Sequence, residues 1–248
     1  MSEEIRATSI HRFATTDTAP STSVYTTPAF WERLWKMSGI NFIVFFIIAY
    51  IIYGHQPQVG ASADALVAFY SGSHLRILLA AVLSGMAVLN LLWFAAALRK
   101  TLADDGQDGW GSAATASSAA VGALFLLLLS AGAALAYSIA GSGSPALISG
   151  LNDFVWAGVV LTSFPRVMLV MAGSFGLWRA RLISHALFAA GVAAVVLVLL
   201  GGTTWLSSGF WAPDGVYSRF VSPLIGLVWV AVVSRVLLTR TPATPAGW

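Results

Sequence analysis

LRILLAAVLSGMAVLNLLWFAAAL, from Leu75 to Leu98, decides the fold class, because it is apolar almost throughout and stops at the adjacent Arg99 and Lys100. About 20 apolar residues make a helix long enough to cross a bilayer, and a cationic pair at its end marks the meeting with an aqueous face. The same reading extends outward. Upstream, Met37 to Tyr53 contains INFIVFFIIAYIIY behind Trp31, Arg33, Trp35 and Lys36, an aromatic and basic flank suited to an interface. Downstream, a third run covers Ala114 to Ala140 and closes at the turn residues Gly141 to Pro145. A fourth runs from Leu151 to Trp178, with Asn152 to Trp156 expected as a helical entry at the outer interface. Arg179 and Arg181 end it, and the fifth, Leu182 to Leu200, follows so closely that the two must be antiparallel neighbours. The sixth, Phe220 to Leu238, comes after an aromatic-rich loop holding Trp205, Phe210, Trp211 and Tyr217, read as an outer-face lid.

The expected architecture is therefore all-α: a polytopic transmembrane bundle of six helices over residues 37–240, between a polar tail at 1–36 and a C-terminal tail at 241–248. Composition agrees, with 58% of the 248 residues hydrophobic and 9% charged, against roughly 25% charged in soluble domains. Short loops leave no room for a second globular domain. The segment from Gly54 to His74 is polar apart from Ala65 to Tyr70, expected to lie on the membrane surface.

The tail, with Glu3, Glu4 and Asp17, lacks the basic start and apolar run of a signal peptide, so the first span is expected to act as an uncleaved anchor. Orientation follows from Lys and Arg. With both termini in the cytoplasm, that side carries Arg6, Arg12, Arg33, Lys36, Arg99, Lys100, Arg179, Arg181, Arg235 and Arg240, while the outer side carries Arg76 and Arg219. The Ala- and Gly-rich helices suggest a bacterial chain in the cytoplasmic membrane, whose partners are the lipid bilayer and a membrane-protein partner or second copy. The net charge of +3 comes from scattered residues that cannot track phosphates, so no nucleic-acid partner is expected. With no cysteine, thiolate catalysis, iron–sulfur clusters and Cys-based zinc sites are excluded.

Arg166 is the most informative polar position, because it lies near the middle of the fourth run beside Pro165, where a charge costs about 2.5–3.5 kcal/mol or more. No Asp or Glu falls inside a run. Its compensation is open between Asp153, about 20 Å away along an ideal helix, the Asn90 amide, carbonyls freed by Pro165, and an anionic ligand. Arg166, Asn90 and Tyr137 are the candidate ligand-binding residues. Asn41, Tyr50, Ser130 and Thr162 are read as hydrogen-bonding across helices.

The histidines, His11, His55, His74 and His185, form no facing pair inside the runs, which argues against bis-histidine haem. His55, Asp64 and His74 could meet only in a folded outer loop, and Asp104, Asp105 and Asp108 lack the ligand spacing of a calcium loop. No catalytic motif, cofactor or metal site is expected.

FYSGSHLRILLAAVLSGMAVLNLLWFAAALRKTL and SPLIGLVWVAVVSRVLL together resemble uncharacterised bacterial six-helix integral membrane proteins, a domain-of-unknown-function type. The resemblance implies the topology and no site residue. The expected function is that of a non-enzymatic membrane subunit or scaffold; the alternatives are a transporter or lipid- or anion-binding protein with a cavity around Arg166, and a membrane enzyme with an outer-face site drawing on Asp153, His55 and His74.

Overall fold

The structure, a computed structural model, describes residues 34–239. Residues 1–33 and 240–248, which include most of both expected tails, lie outside the described residues. The elements are α1 (Ser38–Tyr53), α2 (Ala63–Gly72), α3 (His74–Asp104), α4 (Asp108–Ala134), α5 (Pro145–Leu161), α6 (Ser163–Arg179), α7 (His185–Gly201) and α8 (Ser222–Thr239). α4 runs on through a π turn (Leu135–Ile139) to Ser142, and a second π turn (Tyr217–Val221) leads into α8. The described residues contain no strand.

Local chemistry explains the helix starts. The Ser62 hydroxyl accepts from the Ala65 N–H at 3.3 Å, with Asp64 in the first turn of α2, which suits the positive end of a helix. Ser144 caps α5 ahead of Pro145, whose missing N–H costs nothing at that position. Ser184 caps α7 after Arg181 turns the chain at φ 58°.

α1 packs on α3, α3 on α4, α4 on α6 and α6 on α7, while α8 closes the bundle against α7 and α1. The loop end carries residues 54–62 and 202–216. The basic end carries Arg99, Lys100, Arg179, Arg181 and Arg235. The main core, with Phe94, Leu98, Leu102, Leu169, Leu177, Trp229 and Leu237, lies toward the basic end. A smaller core at the loop end joins α2 to the π turn of α4 and to α5 through Leu66, Tyr70, Leu135 and Ile148.

Two glycines set the register of α7. A Cβ on Gly201 would stand 2.6 Å from Ser222 Oγ and 2.9 Å from Ser163 Oγ, and one on Gly191 would overlap Ser174 Oγ. Ser163 is thus level with Gly201 and Ser174 with Gly191, so α6 and α7 are the antiparallel neighbours expected from Arg179 and Arg181.

Several expectations need adjustment. His74–Asp104, Asp108–Ser142, Pro145–Arg179 and Tyr217–Thr239 are long and apolar enough to cross a membrane. The first and fifth runs form apolar helices of only 16 and 17 residues, about 24–26 Å at 1.5 Å per residue, against a hydrocarbon core of about 30 Å. α4, the helix of the third run, begins at Asp108, so Asp104 and Asp108 are helix-terminal residues on either side of a tight turn at Gly106, φ 72°. The patch at Ala65 to Tyr70 carries Leu66 and Tyr70 fully buried, because α4 and α5 extend far enough to cover it.

Candidate functional site

Between α1, α3, α4, α5, α6 and α8 lies a cavity of about 450 Å³, within the ~300–1,000 Å³ of small-molecule sites. Its walls are apolar: Phe46 from α1, Val88 from α3, Phe125 and Leu128 from α4, Leu169 from α6 and Leu227 from α8. It reaches Phe42, Leu91 and Trp229, which adjoin the main core. Trp229 is fixed there by donating from Nε1 to Ser174 Oγ at 2.9 Å.

Ile51, Tyr50 and Phe220 line the cavity and are also exposed. The Tyr50 and Phe220 rings meet edge to face at 6.1 Å. Between α1 and the start of α8, the cavity is therefore separated from the outside of the bundle only by these side chains. A Cβ on Gly226, which also lines it, would meet nothing within 4 Å.

The loop end is roofed by the segment after α1, and α5 holds that roof. Asn152 and Trp156 stand one helical turn apart on one face. Fully buried Asn152 accepts at Oδ1 from Gln56 Nε2 at 3.2 Å and from the Tyr70 hydroxyl at 3.1 Å, and donates from Nδ2 to Gln58 O at 3.3 Å. Trp156 Nε1 donates to Pro57 O at 2.9 Å. The Gly60 N–H donates to Asp153 at 3.3 Å and the Val59 N–H to Asp214 at 3.3 Å.

Into this roof the π turn before α8 projects Arg219, only 9% exposed. Its guanidinium lies over the Trp156 ring at 4.8 Å, donates to Gln56 O at 3.2 Å, and places Nη1 2.8 and 2.9 Å from the two ring nitrogens of His55. Nε is buried without a hydrogen-bond partner. The partners Arg219 has are thus a ring, an imidazole and a carbonyl, with no carboxylate within salt-bridge distance among the described residues. A guanidinium taken from water needs an anion to offset its desolvation.

Arg166 also lines the cavity, half-buried. Its side chain turns back one helical turn, donating from Nε to Thr162 O at 3.2 Å and from Nη2 to Ser163 Oγ at 2.9 Å. Since Ser163 is level with Gly201, the guanidinium sits beside the loop end of the short α7, while it lies near the middle of the longer Pro145–Arg179 span. The carbonyl it uses is not one freed by Pro165, since Thr162 O also accepts the Arg166 N–H within the helix, and Asp153 is held at Gly60. Along α5 and α6, Trp156 and Ser163 are seven positions apart, so the two guanidiniums are separated by about 10 Å along the axis. No Asp or Glu is among the residues lining the cavity.

The other two candidates fall elsewhere. Asn90 donates to its own helix at Met86 O and does not line the cavity. Tyr137, in the π turn of α4, is 80% exposed. His55 joins Arg219, and no group of three metal-ligating side chains occurs among the described residues. Arg219 and the His55 beside it were missed as a site, although their positions beside the loop ends of α8 and α1 were the available signal.

A second chamber of about 480 Å³ lies under the 202–216 segment, with a mixed lining that includes Ser207, Ser208, Asp214, Val59, Phe210 and Val216. His55, Arg219 and Phe220 line both chambers and partition them. The segment is tied down by Ser218, which donates to Thr204 Oγ1 at 2.7 Å, and by the Tyr217 hydroxyl, which donates to Leu197 O at 2.6 Å.

No protein-family model matches the chain, and no curated protein or solved structure resembles it closely enough to count as a relative. The site's chemistry must therefore carry the functional argument.

Proposed function

We propose that this membrane protein binds an apolar or amphiphilic small molecule inside its helix bundle, as a lipid- or anion-binding protein or a transporter. The observation that carries this reading is the apolar cavity, bordered by Arg166 and Arg219 with no carboxylate in its lining. A subunit or scaffold does not call for such a space, and an enzyme using Asp153, His55 and His74 does not explain why the cavity is apolar. In this reading α1 and α7 also span, making six crossings in a bacterial cytoplasmic membrane with the basic end and both termini inside, in line with the charge bias of the loops.

The test is native mass spectrometry of protein purified in mild detergent, comparing wild type with Gly226→Leu, which places a branched side chain in the open space. Wild type is expected to retain a defined small molecule that Gly226→Leu loses. Equal retention by both, or bare protein in both, contradicts the reading.

A further inference from the structure

We infer that the cavity's ligand is an amphiphile with an oxyanion head, a carboxylate or a phosphodiester, held by Arg219 at the partition between the chambers. The inference rests on the cavity reading and adds the head's charge, its anchor and its direction. Four observations converge on it.

Arg219 is a cation nine-tenths buried, with an unpartnered Nε and no carboxylate within reach among the described residues. An incoming oxyanion supplies the missing charge and hydrogen-bond acceptor, and such charge-assisted bonds are the strong ones. His55 and the carbonyl of Gln56 hold the guanidinium in place, so its ordering cost is met before the ligand arrives.

Arg219 also stands between two chambers. On one side lie apolar walls reaching to Trp229; the other is mixed, with the Ser207 and Ser208 hydroxyls beside Val59, Phe210 and Val216. A head at the partition turns its remaining oxygens toward those hydroxyls while its chain fills the apolar chamber. The single carboxylate there, Asp214, is turned to the Val59 N–H and does not neutralise Arg219.

Ile51, Tyr50 and Phe220 both line the cavity and are exposed, so only the touching Tyr50 and Phe220 rings and Ile51 separate it from the bilayer, and their movement admits a chain without passing it through water. Finally, Arg166 adds a second positive charge to the same cavity while already bonded to Thr162 and Ser163. It strengthens the field felt by an anion without being the anchor.

The experiment measures binding to full-length protein in detergent by titration of oleate, phosphatidylglycerol, phosphatidylcholine and inorganic phosphate. Wild type, Arg219→Gln, Arg219→Lys, Arg166→Gln and Gly226→Leu are compared. Oleate or phosphatidylglycerol is expected to bind wild type and to weaken about tenfold to a hundredfold in Arg219→Gln. Arg219→Lys, which keeps the charge and guards against misfolding as the cause, is expected to restore part of the loss. Arg166→Gln is expected to weaken binding less than Arg219→Gln does. Binding of oleate but not phosphatidylglycerol, or the reverse, identifies the head within the proposed class.

Equal affinity for phosphatidylcholine with no effect of Arg219→Gln, while Gly226→Leu still abolishes binding, overturns the head-group inference and leaves the cavity reading standing. Binding of inorganic phosphate with no amphiphile bound overturns the amphiphile. If Gly226→Leu binds like wild type, the cavity reading fails as well.

Discussion

Replacing Asn152 with alanine should release the roof of the cavity without unfolding the bundle. Asn152 is fully buried and accepts from Gln56 and Tyr70 while donating to Gln58 O. Gln56 Nε2 keeps Tyr70 as an acceptor at 3.3 Å, so the substitution strands chiefly the Tyr70 hydroxyl and the Gln58 carbonyl. Each buried group left unpaired costs about 1–3 kcal/mol, which gives a total of about 3 kcal/mol. At 1.4 kcal/mol per factor of ten, the opening equilibrium of the segment rises about a hundredfold. Hydrogen exchange read by mass spectrometry on peptides covering Val59 to Ala61 measures this opening directly, with α7 as the internal control. Exchange there that changes less than about threefold in Asn152→Ala would refute the claim that α5 fastens this loop.

Other consequences are independent of that network. Gly191→Ala drives a Cβ into Ser174 Oγ and should destabilise the protein by about 1–3 kcal/mol through overpacking, whereas Gly226→Ala, facing open space, should change a detergent melting curve negligibly. Burial, and next to it the neighbouring Tyr53, pushes the Tyr70 phenol well above the ordinary tyrosine value. The unfolded chain then ionises first, so this contribution to stability is present below about pH 10 and lost as pH rises past it; Tyr70→Phe should flatten that alkaline slope in denaturation curves. Because the chain has no cysteine, Ser208→Cys and Asp104→Cys each carry a unique label site. In intact cells an impermeant maleimide should modify the first and spare the second, and equal labelling of both would contradict the proposed orientation.

Much of the helical order was readable, because long apolar runs ending in cations have few alternatives: Leu75 to Leu98 lies wholly within α3, and Arg179 to Arg181 forms the tight corner it suggested. The limits of the runs were harder to read. Asp108 to Ala113 is too polar to look like a span and Pro145 to Gly150 too loop-like, yet Asp108 in the first turn of α4 and the Ser144 cap of α5 carry both helices further. Arg166 nevertheless stays near the middle of the Pro145–Arg179 span, as its sequence position suggested; its turn back to Ser163 was not legible. Arg166 itself was conspicuous, since a lone cation in an apolar run stands out in any fold. Arg219 was not, since a cation beside an aromatic loop reads as an interface anchor. Only tertiary structure brings the end of α1, the face of α5 and the start of α8 together around it. Asn90 and Tyr137 show the converse: a polar residue within a run marks no site unless its face of the helix is known.

The central claim is that an amphiphile chain occupies the interior of the bundle. The most direct measurement is photo-crosslinking with a diazirine-bearing fatty acid followed by peptide mapping. The account predicts adducts on Leu91, Leu128 and Trp229, which line the cavity. Adducts confined to outward-facing residues such as Leu79, Val82 and Val196, with none on the cavity wall, would contradict it.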